Sequence, residues 1–173
     1  MEWRKKGALY VFQYRTVTEK ELRRLWNRSI LEHPFDRRYR AWKRVFLQLN
    51  RNGTGATFAV LHNGTPVGEG TLLFSPQADA VRGREWLADG VHTANINALR
   101  IRKPYEGQGH ISALIKEMER YAATRGFTRL TIGVEKHEMR SRAIYRHWGY
   151  TEFLGETIEN GEIVLYYVKT LFP

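Results

Sequence analysis

Tyr105-Glu106-Gly107-Gln108-Gly109-His110-Ile111-Ser112 stands between two segments of different period. Before it, residues 91–102 are apolar and β-branched enough to read as a long strand. After it, Ile111, Leu114, Ile115, Met118, Tyr121 and Ala122 recur at helical spacing, and Gly126 sits where such a helix would end. Residues 129–135 then read as a second strand. Strand, glycine-rich turn, helix and strand make one βαβ unit, which requires parallel strands and a right-handed crossover.

The turn also carries a chemical reading. Its glycines let the backbone bend tightly and approach a ligand closely. The helix start presents unpaired N–H groups and the positive end of the helix dipole, a setting for a phosphate or pyrophosphate. Ser112 adds a hydroxyl donor. The plain alternative is a structural turn and nothing more.

Outward from this unit the chain continues as α and β elements. Residues 8–14 read as a strand. Thr18-Glu19-Lys20-Glu21 reads as a capping box, followed by Leu22, Leu25, Trp26 and Ile30 at helical spacing. Pro34 interrupts, Asp36 offers a second cap, and Tyr39, Trp42, Phe46 and Leu49 mark another amphipathic helix ended by Asn52-Gly53. Residues 56–61 and 66–74 form a hairpin about Asn63-Gly64. Residues 75–90 form a long loop or short helix. Residues 138–148 make a last helix closed by Gly149, and residues 152–156 and 162–169 a hairpin about Asn160-Gly161. The expectation is one mixed α/β domain over residues 1–173, without repeats or linkers.

Composition narrows the chemistry. The 173 residues contain no cysteine, which excludes disulfides, thiolate metal sites and an acyl-cysteine mechanism. No metal is expected. The N-terminal apolar run, residues 8–12, is shorter than the h-region of a signal peptide or a membrane span, so a soluble cytoplasmic protein is expected. The net charge of +10 is uneven: residues 1–51 hold 14 Lys and Arg against 5 acids, and the remainder 14 against 13. Such a one-sided field attracts anions, and its plain alternative is a solvated helix surface.

Two phosphate-binding motifs fail against the turn. A Walker loop lacks its Gly-Lys-Ser/Thr. A dinucleotide fold needs a third glycine where Ser112 stands and a longer α/β repeat, although Glu135 occupies the place of its ribose-binding acid. A nucleic-acid-binding module would rest on the basic first third and its aromatics Trp26, Tyr39, Trp42 and Phe46. These fall at core spacing, and no helix-turn-helix, zinc or RNA-recognition signature accompanies them.

Residues 97–150 resemble the GNAT superfamily of N-acetyltransferases. Aligned with its cofactor loop, Arg/Gln-x-x-Gly-x-Gly/Ala, Glu106 takes the first place, Gly109 the central Gly and Ile111 the last. At the places of its second signature, Asn-x-x-Ala-x-x-Leu-Tyr-x-x-x-Gly-Phe, stand Glu138, Ser141, Ile144, Tyr145, Gly149 and Tyr150. The chain departs from the pattern at Glu106, and at Glu138 in place of Asn. Arg102, Lys103, Arg140 and Arg142 stand nearby to offset the two acids.

The resemblance implies a central mixed, mostly antiparallel sheet with one parallel βαβ unit, splayed central strands and helices on both faces. It implies an acetyl-CoA-dependent transferase acting on a primary amine by direct attack in a ternary complex; a CoA-binding relative without catalysis is the other reading. Acetyl-CoA would be held by the backbone of Leu99, Arg100 and Ile101, by Gly107, Gln108, Gly109, His110, Ile111 and Ser112, and by Glu138 and Ser141. Tyr145 would be the general acid. Glu69, His92 and Glu135, alone or through water, are the candidates for the base, since Asn95 and Asn97 stand where some members carry a carboxylate. The acceptor pocket would draw on Trp26, His33, Phe35, Arg37, Arg38 and Tyr39, favouring an acceptor that is anionic or displayed on an anionic body; Arg82, Arg84 and Trp86 offer a lid.

Overall fold

The structure, a computed structural model, describes residues 2–5 and 8–172. The elements are β1 (Glu2–Lys5), β2 (Ala8–Thr16), α1 (Glu19–Glu32), α2 (Arg38–Asn52), β3 (Gly55–His62), β4 (Thr65–Leu73), β5 (Thr93–Ile101), α3 (His110–Thr124), β6 (Arg129–Glu135), α4 (Met139–His147), β7 (Glu152–Glu159) and β8 (Glu162–Thr170). Short 3₁₀ turns lie at Glu85–Leu87 and Lys103–Tyr105. Strand pairs β1–β2, β2–β3, β6–β8 and β7–β8 are antiparallel, and β5–β6 is parallel. The chain gathers into two compact units, Met1–Thr71 with Ala98–Met118, and Leu72–Asn97 with Glu119–Pro173. Strands β4 and β5 and helix α3 contribute residues to both.

In the first unit the strand order is β1-β2-β3-β4-β5. The expected capping box forms at α1: Thr18 accepts from the Glu21 N–H at 3.2 Å, and Glu21 accepts from the Thr18 N–H at 2.8 Å. Leu22 and Trp26 are buried, each burial contributing roughly 1.5–3 kcal/mol. Trp26 meets Phe46 of α2 with ring centroids 5.0 Å apart. Asp36 does not occupy the cap position of α2, which falls to Arg37. Its carboxylate instead accepts from the Arg38 N–H at 3.0 Å, so it does a cap's work from one residue earlier. Asn63 and Gly64 both take positive φ, 49° and 78°, as a primed hairpin turn requires.

In the second unit the order is β5-β6-β8-β7. The parallel ladder joins Thr93–Ile96 to Arg129–Ile132 and stops there, and Ala98 takes the left-handed φ of 52° just beyond. The expected strand began at 91. The observed strand begins at Thr93, because the Asp89 carboxylate gathers the N–H groups of Val91, His92 and Thr93 at 2.8–2.9 Å. Asn95 is buried and donates to the Thr131 hydroxyl at 2.9 Å, across the parallel ladder. Buried Tyr150 donates to Glu119 at 3.0 Å, and Lys169 donates to the same carboxylate at 2.9 Å. Arg84 is bound by the Glu159 carboxylate, by the Tyr166 hydroxyl at 2.7 Å and by the Ala80 carbonyl, while Trp86 sits edge-on to Tyr166. Arg82 pairs with Asp79. These contacts occupy the three residues read as a lid.

Candidate active site

The turn into α3 belongs to the first unit. Gly107 and Gly109 have φ of 71° and 84°, a region that side chains with a Cβ rarely enter. A Cβ built at either would meet nothing within 4 Å, so conformation, not crowding, demands glycine, and the space over the turn is open. The first turn of α3 closes when the Ala113 N–H donates to the Gly109 carbonyl at 3.0 Å. The N–H groups before it lack intrahelical partners and carry the positive end of the dipole.

What holds this turn is a cluster of rings. His110 is 3 % exposed, and its side chain points inward. Its Nδ1 shares a hydrogen bond with the Tyr14 hydroxyl at 2.9 Å, its Nε2 lies 3.3 Å from Gln108 Oε1, and its ring stacks on Phe12 at 4.3 Å. The Tyr105 hydroxyl shares a hydrogen bond with His62 Nδ1 at 2.8 Å, and His62 stacks on Phe12 at 4.6 Å. Burial, then the charge of His62, pushes the His110 pKa down, so the ring is neutral near pH 7. Of the residues expected to hold a cofactor, His110 therefore offers only its backbone, and its side chain anchors the turn to β2.

A pocket of about 550 Å³ lies in the same unit. It is walled by Leu25, Arg28, Ser29 and Glu32 of α1, by His33 just beyond that helix, by residues 66–69 of β4, and by residues 100–104 and Glu106 from the end of β5 and the following turn. The Arg102 N–H donates to the Val67 carbonyl at 2.9 Å, which sets Glu69 opposite Arg100. The Arg100 guanidinium binds Glu69 Oε1 and lies over the Trp26 ring at 5.2 Å. Glu69 Oε2 is buried and has no hydrogen-bond partner. Such an atom costs about 1–3 kcal/mol unless a ligand or water meets it. Burial raises the Glu69 pKa, and the Arg100 charge opposes that rise.

Of the residues expected around an acceptor, His33 and Tyr39 line the pocket and stack on each other at 4.2 Å. Trp26 is buried beneath Arg100. Phe35 is 98 % exposed, and neither it nor Arg37 or Arg38 lines the pocket; Arg38 is held by Asp36 at 2.7 Å. Arg15, Arg23, Arg28 and Arg51 of the basic first third are likewise in ion pairs. Arg28, Ser29, the Arg100 side chain, Arg102 and Lys103 were not foreseen as pocket residues. A signal existed: Glu69 is a charged residue between two glycines in an otherwise apolar strand.

Glu138, Ser141 and Tyr145 lie on or beside α4 in the second unit. Glu138 is exposed, with its carboxylate 3.5 Å from His137, which also approaches Glu135 and Glu162 at 3.4 Å. Ligand atoms of Glu135, His137 and Glu138 fall within 4.8 Å of one another, an ordinary arrangement for exposed acids. Tyr145 stacks on Trp148 at 5.6 Å, and burial together with the Glu138 charge raises its pKa. His92 is exposed, and its carbonyl accepts from the Thr128 and Arg129 N–H groups.

A family model described as acetyltransferase (GNAT) family matches residues 19–150. Among solved structures, a spermidine N-acetyltransferase chimera from Vibrio cholerae and hSSAT shares 15% identity, with 92% of this chain and 96% of that chain covered at a TM-score of 0.68. A ribosomal-protein-alanine N-acetyltransferase from Brucella melitensis shares 19%, with 92% and 99% covered at 0.66. A ribosomal-protein alpha-N-acetyltransferase in complex with coenzyme A shares 16%, with 92% and 94% covered at 0.65. At these identities the likeness concerns the fold. No curated protein matches the sequence. Among the described residues no helix is long and apolar enough to cross a membrane.

Proposed function

Since the chain belongs to the acetyltransferase (GNAT) family, we propose that it transfers an acetyl group from acetyl-CoA to a primary amine, in the cytoplasm and as one catalytic domain. The observation that supports this most is the turn at Gly107–Gly109, whose left-handed glycines open a helix start to an anion. The fit does not depend on the side chain of Glu106, which is exposed. Backbone N–H groups of Gln108, Gly109, His110, Ile111 and Ser112 would hold the pyrophosphate, and the backbone of Leu99, Arg100 and Ile101 the pantetheine arm. Glu138 and Ser141 take their roles from their places in the second family signature. Acetyl-CoA supplies an acyl thioester already activated toward an amine.

The chain's own groups then manage protons. Glu69 is the acid we assign to the amine: Oε2 accepts a hydrogen bond and then a proton from the nitrogen, and a carboxylate whose pKa is raised by burial is a better base than an ordinary one. Glu135 is exposed beside His137 and His92 is exposed, which favours neither over Glu69. Tyr145, kept as a phenol by its raised pKa, gives a proton to the departing thiolate.

Calorimetric titration with acetyl-CoA tests the reading, with ADP and NAD as controls. Binding selective for CoA species is expected. Equal binding of every polyanion, or none of acetyl-CoA, overturns it.

A further inference from the structure

The charges around Glu69 define the acceptor more narrowly. Glu69 lines the pocket, and its Oε2, buried and without a hydrogen-bond partner, suits a single N–H donor. At the wall, Glu32 pairs with Arg28 at 2.9 Å, and Arg102 also acts on its charge from farther off. Arg102 and Lys103 line the same pocket, and among the described residues neither makes a salt bridge. They follow directly on the strand that places Arg100 against Glu69. Glu106 lies at the exposed edge.

We propose that the acceptor is a primary amine bearing a carboxylate or phosphate a few bonds from its nitrogen, with the amine on Glu69 Oε2 and the acid on Arg102 and Lys103. This rests on the acyltransferase reading and gives that transfer its substrate class. A polyamine fits poorly, since its further ammonium groups would face Arg102 and Lys103, and like charges brought together in a pocket repel. A simple hydrophobic amine would bring no anion to Arg102 and Lys103. An amine joined to an acid meets both ends, and the acid group adds the recognition that a lone ammonium lacks. The volume of about 550 Å³ is that of a small-ligand site.

The test uses matched pairs that differ by the acid group: phosphoethanolamine with ethanolamine, phenylalanine with phenethylamine, and lysine with cadaverine. Each is titrated calorimetrically into the full chain, with and without CoA, so the answer does not need turnover. For at least one pair the acid-bearing member is expected to bind at least about tenfold tighter, the factor that corresponds to one modest charged contact. In the Arg102→Ala/Lys103→Ala variant that preference collapses to within about twofold in the titrations without CoA, and the single Lys103→Ala variant is intermediate. Equal or reversed affinities in every pair overturn the proposal, as does a preference that survives the double variant. Failure of acetyl-CoA to bind is a separate result: it removes the acyltransferase reading, while the paired titrations still decide whether the pocket selects acid-bearing amines.

Discussion

Tyr14 Oη and His110 Nδ1 lie 2.9 Å apart and tie the middle of β2 to the first residue of α3. The His110 ring is buried against Phe12, with Tyr105, His62 and Gln108 as its other polar neighbours. The side chain thus fixes the helix start whose amides are the proposed anion site.

This arrangement predicts acid sensitivity of cofactor binding. The folded pKa of His110 lies below 6.5, so the unfolded chain takes up the proton first. Stability contributed by the neutral ring is complete above about pH 6.5 and is lost as pH falls below it toward the folded value. Acetyl-CoA affinity should fall only where the folded ring itself takes up a proton, below 6.5. His110→Gln should flatten that acid limb in calorimetric titrations carried from about pH 7.5 down to the onset of acid unfolding. A wild-type affinity constant down to that onset would contradict the role.

Glu69→Gln keeps the size and the contact with Arg100 but removes the basic oxygen. The expected loss in kcat is about 10²–10⁴-fold with acetyl-CoA affinity unchanged. In the wild type, kcat/KM should fall as pH drops through a pKa above the ordinary carboxylate value, because burial raises it. Arg100→Ala removes the opposing charge, so the acidic limb should shift to higher pH. A limb that stays in place would show that another group titrates.

Tyr145→Phe should lower kcat by about 10²-fold or more while leaving the acceptor KM near its wild-type value, as expected when a group acts on the leaving thiolate. The acid form is the active one, so the alkaline limb of kcat lies above the ordinary tyrosine pKa of 10.0. Glu138→Gln removes one of the two causes of that rise and should move the limb downward. An unchanged limb would place the acid elsewhere.

Much of this architecture was legible from local chemistry. The capping box at Thr18 and Glu21, the hairpin turns at Asn63-Gly64 and Asn160-Gly161, and residues 129–135 as a strand all follow from interactions within a few residues, and they stand as read. Where distant partners decide, the sequence was silent. Nothing local to His110 shows that Tyr14, 96 residues earlier, turns its ring inward. The family resemblance puts the acceptor pocket at the first two helices and the loop between them, Phe35, Arg37 and Arg38 included, yet Asp36 captures Arg38 and the pocket forms instead where β4 sets Glu69 against Arg100. That pairing depends on the register of β4 against β5, and the long connection between those strands contains no tight turn that would fix it locally.

Gly109→Ala tests the turn itself. At φ of 84° an alanine meets no neighbour, so the penalty is purely conformational, about 1–2 kcal/mol. Two responses are open to the chain. If it keeps the left-handed turn, stability drops by that amount and acetyl-CoA affinity is retained. If it relaxes the turn, the amides of residues 109–112 rotate away from their common direction, and stability changes little while affinity falls. Glu106 and Gln108 are exposed on the open side, and the His110 ring anchors the turn on the other. The anchoring by Phe12 and Tyr14 favours the first response for His110 and the second for the residues before it. The expected result is therefore a mixed one, with a melting shift smaller than the full penalty predicts and acetyl-CoA affinity reduced at least tenfold, a loss of about 1.4 kcal/mol in binding. Calorimetry and thermal melting on the same variant separate the two. An affinity equal to that of the wild type together with a melting shift well short of the full penalty, the sign of a relaxed turn, would exclude the Gly107–Ser112 amides as the pyrophosphate site.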